Sequence, residues 1–315
     1  MKLYGFYAGS MSNPRVLLAG LAVVVLWASA FPAIQVAAPA MGVVGLSVVR
    51  LAVAAGALLV LAPFLGVRRP AVRDLPLIAA CGFFGMAAYQ ILLNWGELYV
   101  PAGTASIVVA AAPLVSVAIA AGALGERLTG WKVAGSLVAL AGVVLVCLAR
   151  SGLQISGPVW IVVGAMLVQG IYHPLTKPLL KRYTGLEVAT YAMVAGLVVV
   201  LPTLAVLPES MAQLSAAGPG AWAGAVYLGL LPSALGFVLW GYAVARLPMA
   251  VSTSLLYLVS PVAVLVAFLW LGELPHPAEL LGGLVVVAGV VLVSGRFGRR
   301  PVASSHGRPQ LRSHS

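Results

Sequence analysis

The chain has 315 residues, of which 62% are hydrophobic and 8% charged, and its net charge is +11. A soluble domain carries about a quarter charged residues and slightly under half apolar ones, so an ordinary cytosolic enzyme, a disordered chain and a secreted disulfide scaffold are excluded. What remains is an all-α integral membrane protein, in which each span uses roughly 20 apolar residues.

In chain order, the mixed segment 1–15 contains Asn13-Pro14 and no cleavage pattern, so the apolar run after it reads as an uncleaved helix. Apolar windows fall at 16–36, 43–65, 75–96, 101–123, 131–149, 157–176, 187–207, 221–244, 248–271 and 278–295, which predicts ten transmembrane helices. The breaks are short and hold Pro, Gly or charge, as in Gly66-Val67-Arg68-Arg69-Pro70 and Leu274-Pro275-His276-Pro277. The stretch Pro208 to Gly220 is the least hydrophobic connection, and the basic tail 296–315 is expected to be disordered.

The basic residues set the orientation. With the N-terminus in the cytoplasm, every Lys and Arg except Arg50, inside a span, and Arg150, outside, falls on the inner face or in the tail. A missed helix would scramble this asymmetry, so it supports both the count and cytoplasmic termini. The positive charge then reports topology, and no nucleic-acid partner is expected. Cys81 and Cys147 come out near opposite membrane faces and read as packing residues. The four histidines form no zinc pattern, so neither a metal nor a cofactor is expected.

The chain repeats itself. "GERLTGWKVAGSLVALAGVVLV" aligns with "GELPHPAELLGGLVVVAGVVLV", matching Glu126 to Glu273, Gly135 to Gly282 and Gly142 to Gly289. Pro101 matches Pro248 at the same offset, and Pro113 matches Pro261 with a slip of one. The halves, 16–149 and 157–295, hold five windows each. An odd number inverts the second half and gives an inverted-topology repeat. Such a repeat suits a site exposed alternately to the two faces; the plainer reading is a duplication that only made a stable bundle.

With these residues in view, the chain resembles the EamA-type drug/metabolite transporter superfamily over about 16–295. The elements are "WASAFPAIQ", "VVRLAVAAGALL", "PLVSVAIAAGALGERLTGWKVAGSLVALAGVVLV" and its repeat "SPVAVLVAFLWLGELPHPAELLGGLVVVAGVVLV". The resemblance implies a ten-helix carrier, often an exporter of amino acids, metabolites or toxic compounds, and names no substrate. The second half departs from the pattern at Gln169 to Pro174.

Several residues are candidates for function. Arg50 reads either as an anchor for an anionic group such as a substrate carboxylate or as a helix-packing arginine. Gln90, Asn94 and Glu97 share a helical face. Gln90 and Asn94 suit a cavity lining or interhelical bonding, whereas Glu97, near the outer edge, is expected to be solvated. Gln169, His173 and Lys177 form a second stripe. Lys177 is expected at the interface, and His173 is either a hydrogen-bonding group or a proton relay. Tyr172, Tyr257 and Ser260 add polar lining, and Trp27 and Trp240 could stack on a substrate. Pro32, Pro113, Pro174 and Pro261 are candidate helix breaks and gates. Glu126 and Glu273 suit helix starts, and the four matched glycines suit close packing.

The expected function is a secondary carrier in a bacterial cytoplasmic membrane. It would export a small organic metabolite, such as an amino acid or an amphipathic compound, by alternating access, with proton or counter-substrate coupling open. A receptor, scaffold or channel is the alternative. An enzyme is not expected, since no nucleophile with a base, metal cluster or paired buried carboxylates is visible.

Overall fold

The computed structural model describes residues 14–124, 130–151, 157–246, 256 and 258–294, and every regular element among them is helical. The amino-terminal segment, Glu126, Pro248, Tyr257 and the basic tail lie outside the described residues. Helices α1 (Pro14–Met41) and α2 (Val43–Leu61) meet at Gly42. Its φ of 70° is left-handed, a conformation glycine adopts without a Cβ penalty. Next come α3 (Leu75–Cys81), a π-helical segment Gly82–Ala88 and α4 (Tyr89–Gly96), which form one rod. Helices α5 (Ala102–Val109) and α6 (Ala112–Leu124) are separated by a break just ahead of Pro113, and α7 (Gly130–Ser151) follows.

The rest of the chain gives α8 (Gly157–Leu180), α9 (Gly185–Val200), the short α10 (Thr203–Val206) and α11 (Pro208–Ala216). A second rod consists of α12 (Pro219–Leu228), a π-helical segment Gly229–Leu235 and α13 (Gly236–Val244). Helices α14 (Val259–Leu271) and α15 (Pro277–Ser294) complete the fold. Six stretches are long and apolar enough to cross a membrane, and shorter apolar helices include Ala102–Ser116 and Val259–Leu271. The two π segments start at Gly82 and Gly229, the same spacing that separates Glu126 from Glu273.

The polarity is that of a membrane protein. Leu18, Phe64, Val198, Leu269 and Leu284 point outward, while Arg50, Gln90, Asn94, Gln169 and His173 are buried. Water would tolerate no such apolar exterior, whereas lipid favours it, and the helices satisfy their own backbones. Inside are two apolar clusters. One gathers Val23, Ile34, Val108 and Ala263 around α1, α5 and α14, and the other gathers Leu51, Met86 and Met193 around α2, the first rod and α9. Trp27 packs against both.

Small residues let the backbones touch. A Cβ on Gly142 would lie 2.8 Å from the Gly282 carbonyl oxygen, and one on Gly289 would lie 2.6 Å from that of Gly135. Pairing 142 with 282 and 135 with 289 makes α7 and α15 antiparallel. At another edge, the α2–α3 connection is tied to the α8–α9 corner. Arg68 Nε donates to Glu187 Oε1 at 2.7 Å, and Tyr183 Oη donates to Asp74 Oδ2 at 2.7 Å. Arg182 pairs with Asp74 as well. Glu187 also closes a capping box with Thr184 at the start of α9. The bond to Glu187 raises the Arg68 guanidinium above its ordinary pKa.

Gly289→Val should destabilise the protein by about 1–3 kcal/mol, because its side chain meets the α7 backbone rather than a flexible neighbour. Thermal unfolding in detergent measures this, with Gly122→Val, where a Cβ meets nothing within 4 Å, expected to be near wild type.

Candidate functional site: a cavity between the two halves of the chain

A cavity with about 60 Å³ of room for the centres of water-sized spheres lies in the bundle, space for about four to six waters. The part of the chain before residue 150 supplies Trp27 from α1, Arg50 from α2, Tyr89 from α4, and Pro113 beside the α5–α6 break. The later part supplies Gln169 and His173 from α8 and Phe237 from α13. Most of the wall is apolar or aromatic, so its few polar atoms dominate recognition.

Arg50 is 3% exposed. Its Nε donates to Ser233 Oγ at 2.8 Å, which fixes the guanidinium plane. Its Nη1 is buried with no hydrogen-bond partner among the described residues. Ser233 and the preceding Pro232 both belong to the second π segment. The Pro232 carbonyl accepts from Trp27 Nε1 at 3.0 Å. One widened turn therefore holds both a cationic and an aromatic cavity residue from the other half of the chain. Gly229 in that turn lets it approach, since a Cβ there would lie 2.9 Å from the Arg50 carbonyl oxygen.

Helix α8 contributes acceptors. Ser116 Oγ donates to the Gly170 carbonyl at 2.8 Å and lies 3.2 Å from His173 Nδ1. A hydroxyl has one proton, so Ser116 accepts from Nδ1–H, and His173 Nε2 is the unprotonated nitrogen. Both Nε2 and Gln169 Oε1 are buried without a partner. The His173 ring rests against Trp240 and Tyr172 at centroid distances of 6.0 and 5.9 Å. The cavity is therefore electrostatically polarised, with a donor at Arg50 and acceptors at Gln169 and His173.

Comparison with known proteins places this geometry. The model of the EamA-like transporter family matches the chain twice, over residues 14–148 and 156–295. The chain belongs to the EamA-like transporter family. A "Probable terminal-alkyne amino-acid exporter" of Streptantibioticus cattleyicolor is 55% identical over 95% of this chain and all of its own length. An uncharacterized transporter of Bacillus subtilis (strain 168), YdfC, is 31% identical over 88% of this chain and 90% of its own. A solved crystal structure shares the fold with a TM-score of 0.64 at 19% identity, covering 90% of this chain and 98% of that one. This EamA-like chain is thus a multi-pass membrane protein of a transporter family.

The remaining candidates fall around the cavity. Tyr172 and Trp240 are buried behind its wall, their rings packed on Phe237 and on Trp27 respectively. Ser260 donates to the Ser106 carbonyl at 2.8 Å, behind α5. Tyr257 lies outside the described residues. Helices α1 and α8 continue through Pro32 and Pro174, and Pro261 is exposed in the first turn of α14. Gln90 and Asn94 lie off the cavity; Asn94 Nδ2 donates to Ser47 Oγ at 2.9 Å.

Glu97 is a correction: it is 4% exposed, not solvated. The neighbouring Gly96 lets α8 approach, with Val162 against it, and covers the end of α4. Glu273 does meet a helix start, that of α5 rather than of α15, with its carboxylate 3.4 Å from the Ala102 amide. Sequence reasoning passed over Tyr89, Ser116, Ser233 and Phe237. A serine beside a proline within an apolar run was the available signal for Ser233.

Ser233→Ala strands the Arg50 Nε and should cost about 1–3 kcal/mol in thermal stability. A double-mutant cycle with Arg50→Leu isolates the pair; additive effects of the two substitutions would remove Ser233 as the holder of Arg50.

Proposed function

We propose that the protein is a secondary carrier that exports a small zwitterionic amino acid with a slender apolar side chain, of the terminal-alkyne kind. The carrying observation is the polarised cavity. A substrate carboxylate pairs with Arg50 Nη1, the α-ammonium donates to Gln169 Oε1 and His173 Nε2, and the side chain lies among Trp27 and Phe237. Each cavity polar group lacking a partner then gains one of complementary sign. The small space open to water centres, about 60 Å³, favours a small amino acid over a bulky amphipath. The name of the 55% identical relative supports both the substrate class and the direction.

The transport cycle in this reading is alternating access by two inverted five-helix repeats, 16–149 and 157–295, with both termini cytoplasmic. Three observations support it: the doubled family match, the antiparallel α7–α15 contact through equivalent glycines, and the equivalently placed π segments. The α5–α6 break ahead of Pro113 gives the first half a joint at the cavity wall. The substrate leaves chemically unchanged, so the site needs no nucleophile or cofactor.

Counterflow in proteoliposomes tests the substrate. L-propargylglycine should exchange, and its decarboxylated amine should not. Arg50→Ala should weaken apparent affinity about 10- to 100-fold, since a hydrogen bond to a charged group contributes about 1.5–3 kcal/mol. Exchange of the amine as fast as of the amino acid, or Arg50→Ala at wild-type affinity, removes the carboxylate from Arg50. The topology has its own test. Single cysteines replacing Pro70 and Glu209, in a variant without Cys81 and Cys147, should label from opposite sides of intact cells; labelling from one side refutes the ten-span arrangement.

A further inference from the structure

Beside the cavity, Gln90, Asn94 and Glu97 line one face of the α4 rod end, spaced four and three residues apart. They are 1%, 0% and 4% exposed. Among the described residues, Asn94 Oδ1 and both Glu97 carboxylate oxygens have no hydrogen-bond donor, and Gln90 is unpartnered at both its amide oxygen and its amide nitrogen. The orientation of Asn94 is set, because its amide nitrogen is used on Ser47 Oγ at 2.9 Å and Ser47 in turn donates to the Val43 carbonyl at 2.7 Å. Its oxygen therefore remains an acceptor, next along the face to a carboxylate that is also only an acceptor when ionised.

An ionised carboxylate buried without a donor is too costly to persist alone. The charged and titratable groups that act on it are Arg50 on α2, Tyr89 on its own helix and Glu273 after α14. Arg50 is not within salt-bridge distance and is held by Ser233, and Glu273 repels. Helix α8 presents Val162 to this end of α4. What the Glu97 carboxylate and the Asn94 oxygen call for is positive charge from outside the chain.

We propose that Glu97, with Asn94 and Gln90, is the site of a monovalent coupling cation, a proton or sodium. The inference rests on the carrier reading above and adds to it a second site, distinct from the substrate cavity. Arg50 links the two. A substrate carboxylate on Arg50 offsets the field that the guanidinium exerts on Glu97, so occupancy of one site changes affinity at the other.

The test uses the full chain in proteoliposomes with L-propargylglycine as the probe. Counterflow without any ion gradient reports the carrier alone. A pH gradient and a sodium gradient are then imposed separately, each in both polarities. One of them should drive accumulation at least tenfold above equilibration and so name the ion. Glu97→Gln should abolish that accumulation, and Glu97→Asp should restore part of it. Counterflow with no accumulation in any gradient arm overturns the cation site and leaves the carrier standing. Accumulation by Glu97→Gln at the wild-type level overturns the assignment to Glu97, and absence of counterflow overturns both readings.

Discussion

A guanidinium enclosed by apolar helices has to be held by something, and much of this structure is arranged around how Arg50 is held. Among the described residues, no carboxylate bonds to it. Its Nε reaches a serine hydroxyl from a helix 183 residues away in sequence, leaving Nη1 free. A carboxylate partner would have neutralised the charge and closed the cavity to an anionic group. A neutral hydroxyl fixes the direction of the guanidinium while leaving its charge uncompensated. Ser233 can do this only because the second rod widens into a π turn beside α2, and the turn fits only because Gly229 puts no side chain against the α2 backbone.

The same arrangement explains the placement of the small residues. Lipid offers no hydrophobic drive for helix association, so contacts rely on close van der Waals packing and a few polar bonds. Gly142 and Gly289 supply the first between α7 and α15. The aqueous edge is built differently, with Asp74, Glu187, Arg68 and Arg182 forming ion pairs between the α2–α3 connection and the α8–α9 corner. Exposed pairs of this kind contribute little individually, but Glu187 is almost wholly buried and also caps α9, so it couples the ion pair to the helix start.

The sequence carried the helical membrane architecture because composition and apolar runs are local properties, and lipid leaves few alternatives to helices. It carried Arg50 as a site candidate for the same reason, since a charge inside an apolar window stands out. The π segments were not legible: Gly82–Ala88 and Gly229–Leu235 differ from ordinary helix by a bond shift, not by a change of pattern. Ser233 was missed because its role depends on a partner in the other half of the chain. Glu97 was misjudged because an acidic residue ending an apolar window looks solvated; only the approach of α8 at Gly96 shows that the end of α4 is covered.

Which helices carry the unpaired polar atoms of the cavity-lining residues bears on function more than their number does. Buried polar groups without partners cost about 1–3 kcal/mol each, and a bundle shaped for stability alone would have paired or replaced them. Here the unpaired donor Arg50 Nη1 and the unpaired acceptors Gln169 Oε1 and His173 Nε2 belong to residues of two different helices, α2 and α8, that line one cavity. In the proposed function, a cation on one helix and acceptors on another complement the two charges of a zwitterion. That proposal entails a trade of stability against activity: apolar residues at these positions would stabilise the bundle and weaken transport. Beside the cavity, Asn94 Oδ1 and the Glu97 carboxylate leave acceptors unmatched, while Gln90 is unpartnered at both ends of its amide, and the proposed cation would meet the carboxylate.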